Sequence, residues 1–449
     1  MLRKLEEYIQ KDAFVVPSKE KKPKRSFVVV DKFYPRPFSE EIMSQYSFWF
    51  VGGNGDFYWF DKEEGIWRDN AEDFIRNYFR KATDVLQDVQ KKVHVLNEIV
   101  ADVRDLAWQG KRIPEPPTTL IPFKNGVFDL ETDEFRSFRE DDYFTWKLPH
   151  NYSETANCPF LYELIESLIN PEDTISLWEL LGYCLWRGYE YQKMFFLFGR
   201  GSNGKSTFAN ILERMLGKQN VSHVTLREIQ ENRFAGAQLY RKLANISGEL
   251  EYTELKNTRL LKQLCGEDTI TVERKYRDPF NYLNYAKLIF LTNEIPKSRD
   301  TTPAFYRRLF LIEFPKKFRD NPEFLHTINS LPEEEYEGLL ILALDQLRNL
   351  IRRGLVFIQD REEGDLKREY LKLSSPLNQF VEENCILTYS REDFIYKYEF
   401  NERFQNWLAD KGRTSYDEKR IVGEMRDLGL EESRRGESNW RCWIGVRWK

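Results

Sequence analysis

Cysteine is scarce in this chain: Cys158, Cys184, Cys265, Cys385 and Cys442 are all there are among 449 residues. They are odd in number and far apart, with no C-x-x-C pair and no His at zinc-ligand spacing. That pattern excludes a disulfide scaffold and argues against a zinc finger; reduced core thiols in an intracellular protein are expected. Long apolar runs are missing too. Nowhere do eighteen apolar residues follow one another, and the opening MLRKLEEYIQKD lacks the apolar stretch of a signal peptide, so a soluble cytosolic or nuclear chain with no membrane partner is expected. Nor does one charge dominate. Lys plus Arg number 68 against 73 Asp plus Glu, net −5, so any polyanion site must be local. There is no internal repeat and no low-complexity tract. Aromatic side chains are plentiful, 15% of residues with 11 Trp and 23 Tyr, and serve base stacking and core packing alike.

The length suggests about three domains, and the fold class expected is multidomain α/β. Residues 1–115 read as an α+β region. It holds a helix-like opening, a basic run 19-KEKKPKR-25, an aromatic antiparallel meander over 48–69, and helical periodicity from Ala71 to Trp108. The breaker 113-IPEPPTT-119 sets the first boundary. Residues 116–190 hold a hairpin-like pair turning at Glu131 to Glu134, then two helical stretches up to Tyr189. Residues 191–330 are the central domain and 331–373 a helical connector, with 374-SSP-376 as a second boundary. In 374–449, three helices (Leu377 to Glu383, Tyr396 to Lys411, Asp417 to Leu428) precede a basic hairpin, a winged-helix arrangement with the third helix as recognition helix. In the wing, Arg434, Arg435 and Arg441 interleave with Trp440, Trp443 and Trp448, a nucleic-acid contact or a protein-docking surface.

The chemistry centres on 198-FGRGSNGKST-207, which follows the apolar run 194-MFFLF-198 and opens an amphipathic helix. This strand–loop–helix context is what a phosphate-binding loop requires. Gly199, Gly201, Asn203 and Gly204 let backbone N–H groups curl around phosphates, Lys205 adds charge, and Ser206, followed by Thr207, offers a hydroxyl to Mg²⁺, so ATP with Mg²⁺ is the expected cofactor pair. A second buried strand, 242-KLANISGELE-251, carries Glu249 at its end, a candidate to orient or deprotonate water and to stand near the metal. A third, 287-KLIFLTNEIP-296, ends in Asn293, an amide able to sense a γ-phosphate. In 305-FYRRLFLIEF-314, Arg307 or Arg308 is a candidate arginine finger toward a neighbouring subunit. Between the strands, 266-GEDTITVERKYRDPFNY-282 gathers Arg274, Lys275, Tyr276 and Arg277 at a hairpin tip, suited to gripping a nucleic-acid backbone or to lying in solvent.

The order of these pieces resembles the superfamily 3 helicases, and closely their poxvirus and phage or plasmid primase–helicase branch. The carrying residues are 199-GRGSNGKST-207, 242-KLANISGEL-250, 264-LCGEDTITVERKYRDPFNY-282, 286-AKLIFLTNEIP-296 and 304-AFYRRLFLIEFP-315, with 121-IPFKNGVFDLET-132 ahead of them. The resemblance implies an AAA+ P-loop ATPase core assembled as a hexameric ring, translocating on single-stranded DNA and opening forked DNA in the host cytosol. It places Lys205 and Ser206 on Walker A, Glu249 on Walker B, Lys275 on the DNA-gripping hairpin, Asn293 on the sensor and Arg308 on the finger. Gly248 departs from the pattern, which has a first Walker B acid there. No acidic constellation for two-metal polymerisation is evident, so a helicase without a primase is expected, with priming supplied by a separate primase or polymerase. The competing readings are an AAA+ initiator or origin-binding loader with ATP-controlled assembly, and a defence or signalling NTPase.

Overall fold

The computed structural model describes residues 35–52, 55–83, 93–199, 201–248, 255–318, 330–411, 415–436 and 439–449, and the backbone of the antiparallel strand pair Ile9–Val16 and Ser26–Phe33. The basic run at 19–25 lies outside the described residues.

The centre of the molecule is a five-stranded sheet. Its strands are β1 (Met194–Phe198), β2 (Val221–Ser222), β3 (Ala244–Ser247), β4 (Lys287–Thr292) and β5 (Leu309–Glu313). All run parallel, in the order β2-β3-β4-β1-β5. Parallel strands need both faces covered, which is why β1 and the middle of β4, Leu288–Leu291, are apolar without alternation. Phe195, Leu197, Ile289 and Leu291 join one core, and Met194, Phe196, Leu288 and Phe290 the other. The first core is roofed by helix α1 (Lys205–Leu216) through Phe208, Ile211, Leu212 and Met215.

That first core runs from Ile121 to Phe357 without interruption. The boundaries read at 190 and 330 are therefore changes of sequence pattern and not breaks in packing. The region after 119 forms three strands, Leu120–Pro122, Val127–Asp129 and Glu134–Arg136, one more than the expected hairpin. The Pro-rich boundary is fastened rather than free. Buried Arg187 donates to Pro116 O at 3.1 Å and to Leu120 O at 2.9 Å, and Arg241 pairs with Glu115 at 2.9 Å.

Two further cores flank the sheet. The first, Phe38 to Ala107, joins the first two strands of a three-stranded meander (Phe48–Phe50, Phe57–Asp61, Ile66–Arg68) to the helices Pro35–Gln45, Ala71–Thr83 and Val93–Leu106. The other, Leu377 to Val446, is made by helices Pro376–Asn384, Lys397–Asp410 and Glu418–Asp427 with the strands Phe394–Tyr396, Glu431–Arg435 and Trp440–Ile444. All five cysteines are free and buried, and burial pushes the thiols of Cys158, Cys184, Cys265 and Cys385 up to about 12. Among the described residues, no helix is long and apolar enough to cross a membrane.

Candidate functional site

At the carboxyl end of β1 the chain turns at Gly199, with φ 152°, where a Cβ would stand 2.1 Å from Asn203 Nδ2 and 2.4 Å from Phe314 O. The loop closes at Gly204, φ 88°, where a Cβ would meet Leu168 Cδ2 at 2.6 Å. Glycine is needed at both for a backbone this tight. At Gly201 a Cβ meets nothing within 4 Å, so the packing makes no such demand there. Gly204 is also the N-cap of α1, and no side chain among the described residues caps the helix. Its first N–H groups and the positive end of its dipole are thus aimed at the loop, a standing anion site.

Lys205 is buried, 7% exposed. Its Nζ donates to Gly199 O at 2.6 Å, Asn203 Oδ1 at 2.9 Å and Asn293 Oδ1 at 3.2 Å. All three acceptors are neutral. Desolvation, with no counter-charge in contact among the described residues, pushes the ammonium down to about 8. Asn203 does more than favour a turn: its Nδ2 donates to Phe314 O at 2.9 Å, tying the loop to the chain beyond β5 while its Oδ1 holds the lysine. Asn293, just past β4, is exposed and brought to Lys205 from 88 residues away. Ser206 is exposed and Thr207 half-buried at the start of α1.

These residues fit a nucleoside triphosphate: a buried cation whose acceptors among the described residues are all neutral oxygens sits beside helix N–H groups with no side-chain cap there. A Mg²⁺ ion accompanying it would draw on the Ser206 hydroxyl. β3 ends at Ser247, whose buried Oγ has no hydrogen-bond partner among the described residues; Glu249, Glu251 and Glu254 lie outside them. Among the described residues no group of three His, Cys, Asp or Glu is placed to hold a metal.

Arg308 is not brought to this loop. It precedes β5 at the opposite, amino end of the sheet, where its carbonyl accepts from Met194 N at 2.6 Å. That is roughly 16 Å from the carboxyl end along five strand residues. Its guanidinium is buried beside the Cys265 thiol, Nη1 on Ala304 O at 2.7 Å and Nη2 on Gln192 Oε1 at 3.5 Å, with no partner for Nε among the described residues. Arg307 is exposed.

The basic cluster 274–277 caps an antiparallel hairpin, Thr269–Val272 with Phe280–Leu283. Its members divide. Lys275 and Tyr276 point outward, Tyr276 being 98% exposed with φ 60°. Arg274 lies over Phe280 at 4.7 Å and Tyr240 at 5.2 Å, 3.3 Å from Asp56, and Arg277 pairs with the same carboxylate. Asp56 belongs to the N-terminal meander, more than 200 residues away in sequence. No local pattern marks it, which is why sequence reasoning missed it. In the C-terminal region Arg434 and Arg441 are exposed and directly opposite in register, while Arg435 Nη2 donates to Arg391 O at 3.0 Å. Of the interleaved tryptophans, only Trp440 faces outward, 55% exposed; Trp443 is fully buried and Trp448 packs on the core.

Residues 197–308 match a family described as "Family of unknown function (DUF5906)", and residues 40–170 match one described as "D5 N terminal like". The "Putative helicase L207/L206" of Acanthamoeba polyphaga mimivirus is 26% identical over 290 residues, covering 58% of this chain and 30% of the relative. The "Putative helicase 121R" of Invertebrate iridescent virus 3 is 26% identical over 331 residues, 65% and 35%, and the "Putative helicase 184R" of Invertebrate iridescent virus 6 is 28% identical over 239 residues, 49% and 24%. The chain thus spans about a third or less of these relatives' length. Among solved structures, the apo C-terminal region of NrS-1 superposes with a TM-score of 0.48 at 12% identity, covering 92% of this chain and 99% of that one.

Proposed function

We propose that this chain, which belongs to the viral primase–helicase family, is an ATP-dependent DNA helicase of viral, phage or plasmid replication. In this reading residues 191–330 are a superfamily 3 AAA+ P-loop ATPase, residues 374–449 a winged-helix domain, and the working form a homo-hexameric ring on single-stranded or forked DNA, with a separate primase or polymerase as partner. The observation that carries the proposal is the buried Lys205 ammonium, held by neutral oxygens and by Asn293 at the carboxyl edge of a parallel sheet, where open α/β sheets bind ligands.

ATP with Mg²⁺ supplies the phosphoanhydride whose cleavage drives the motor. Around it, the N–H groups of 201–207 and the Lys205 ammonium hold the phosphates, Ser206 holds the metal, and Glu249 activates water. Asn293 exchanges its hydrogen bond to Lys205 for one that positions the water or terminal phosphate. Arg308 is too far from its own loop to act there and serves the neighbouring subunit's site, releasing Ala304 O and Gln192 to do so. Lys275 and Tyr276 contact the DNA strand at the hairpin tip, and Arg274 and Arg277 tie that hairpin to the N-terminal region.

The test is ATP hydrolysis and forked-duplex unwinding measured side by side for the intact chain, Lys205→Ala, Arg308→Ala and Lys275→Ala. The first two variants are expected to abolish hydrolysis, and Lys275→Ala to hydrolyse without unwinding. An intact chain that hydrolyses ATP but separates no fork of either polarity would hand the function to the initiator reading.

A further inference from the structure

The third helix of the C-terminal region is poorly equipped to read a duplex. Glu424 in Glu418–Asp427 is buried, accepts from Ser375 Oγ at 2.6 Å and pairs with Lys297 of the ATPase core at 2.8 Å. Arg420 lies 3.5 Å over the Tyr416 ring, and Arg426 pairs with Glu432 at 2.7 Å. The charged side chains left exposed, Glu418, Lys419, Arg426 and Asp427, cancel one another.

The adjoining sheet offers a different surface. Its strands lie in the order Phe394–Tyr396, Trp440–Ile444, Glu431–Arg435. Residues opposite in register share a face: Phe394 with Ile444, Tyr396 with Cys442, and Trp440 with Arg435. Ile395 and Trp443, on the other face, belong to the core of this region, whereas Cys442 and Ile444 on this face are buried but lie outside that core, so this face is turned away from it. Phe394, Tyr396, Tyr398 and Trp440 follow one another along it with ring centroids 5.3, 5.7 and 5.5 Å apart. Phe394, Tyr398 and Trp440 are 36%, 56% and 55% exposed. Charge grades along the strip, from Asp393 and Glu431 beside Phe394 to Arg435 beside Trp440. At the same end of the sheet, but on its other face by the same alternation, Arg434 and Arg441 oppose each other, both exposed and with no acidic partner among the described residues. Like charges in register are unfavourable unless an anion lies between them.

We propose that this strip is a platform for unpaired nucleotides, with bases stacking on Tyr398 and Trp440 while the backbone phosphates run onto Arg435 and round the exposed edge strand toward Arg434 and Arg441. The inference rests on the reading that the chain acts on single-stranded DNA and specifies how its C-terminal region takes part, through the sheet rather than the third helix. Stacking of this kind is sequence-tolerant, and one arginine cluster at one end gives the strand a direction.

The experiment is a fluorescence-anisotropy titration of the full chain, without ATP, on labelled oligo(dT), on an abasic oligomer of equal length and on a duplex. Lys275→Ala serves as background so that the hairpin tip does not mask the result. Trp440→Ala and Tyr398→Ala are each expected to weaken oligo(dT) binding about fivefold to a hundredfold, to leave abasic binding unchanged, and to spare ATP hydrolysis measured without DNA. Trp440→Phe keeps a stacking ring and should bind within about threefold of the parent. Unchanged oligo(dT) affinity in Trp440→Ala overturns the platform. So does an equal loss on the abasic oligomer, which would make the ring a support for the arginines, or a larger loss on duplex. The titration needs no hydrolysis, so a failed motor reading and a failed platform give separable results.

Discussion

Lys205 and Lys287 are buried lysines at opposite ends of one sheet, and among the described residues neither hydrogen-bonds a carboxylate. Burial pushes both ammonium groups down, to about 8 and about 7. They differ in who holds them. Lys287, at the amino end of β4, fills all three donors with backbone carbonyls, Trp186 O at 2.6 Å, Gly188 O at 2.7 Å and Tyr285 O at 2.8 Å, beneath the Tyr183 ring at 4.3 Å. Lys205 has one loop carbonyl and two asparagine amides. Carbonyls locked in a core cannot be exchanged, whereas the exposed amide of Asn293 can rotate away. A buried lysine therefore marks a site only when its partners are able to let go.

Swapping the loss between the two positions gives the largest expected effects. Lys205→Ala should cut ATP hydrolysis about 10²- to 10³-fold and leave the urea-unfolding midpoint near wild type. Lys287→Ala should do the reverse. Three carbonyls lose their donors and a cavity opens, destabilising by about 3–5 kcal/mol, with hydrolysis per folded molecule retained. A Lys287→Ala protein as stable as the parent would break the comparison.

Asn293→Ala removes the exchangeable partner and is expected to lower hydrolysis about thirtyfold, about 2 kcal/mol of barrier, without moving the unfolding midpoint. A fall in midpoint instead would make Asn293 a structural clamp.

The pH dependence sharpens the contrast further. With its ammonium at about 8, Lys205 is charged below that pH and loses its proton above it. A phosphate ligand favours the charged form. Affinity for a non-hydrolysable ATP analogue should be level below about pH 8 and fall about tenfold per unit above it, with proton uptake visible by calorimetry in the falling limb. Affinity that stays level up to about pH 9.5 would mean that this lysine is not titrating.

The smallest effect belongs to the hairpin base. Asp56→Asn neutralises the carboxylate shared by Arg274 and Arg277 and should cost no more than about 1 kcal/mol, since both arginines are partly exposed. Amide hydrogen exchange across 273–279 should quicken. Unaltered exchange would show the hairpin held by the aromatic rings alone.

Much of the candidate site's geometry was legible because the loop is local: Gly199, Gly204 and Lys205 lie close together in sequence, and backbone sterics demand glycine at the first two. Asn293 was legible as an amide ending a buried strand, since a parallel sheet brings such strand ends together. Arg308 was legible as a residue but not in its placement, because only the direction of β5 relative to β1 puts it at the far end of the sheet. The wing tryptophans misled in part. Alternation along Trp440–Ile444 decides which rings face out, and Trp443 went into the core.

By itself, then, the sequence determined the strands, the loop, the helix it opens and the buried cation, all written in residues a few positions apart. Only the tertiary structure decided that residues 120–190 and 330–357 share one core with the sheet, that Asp56 holds the hairpin arginines, and that the outward face of the C-terminal sheet is aromatic. These are contacts between segments tens to hundreds of residues apart, set by packing and by charge pairing across it, and no periodicity or spacing along the chain encodes them.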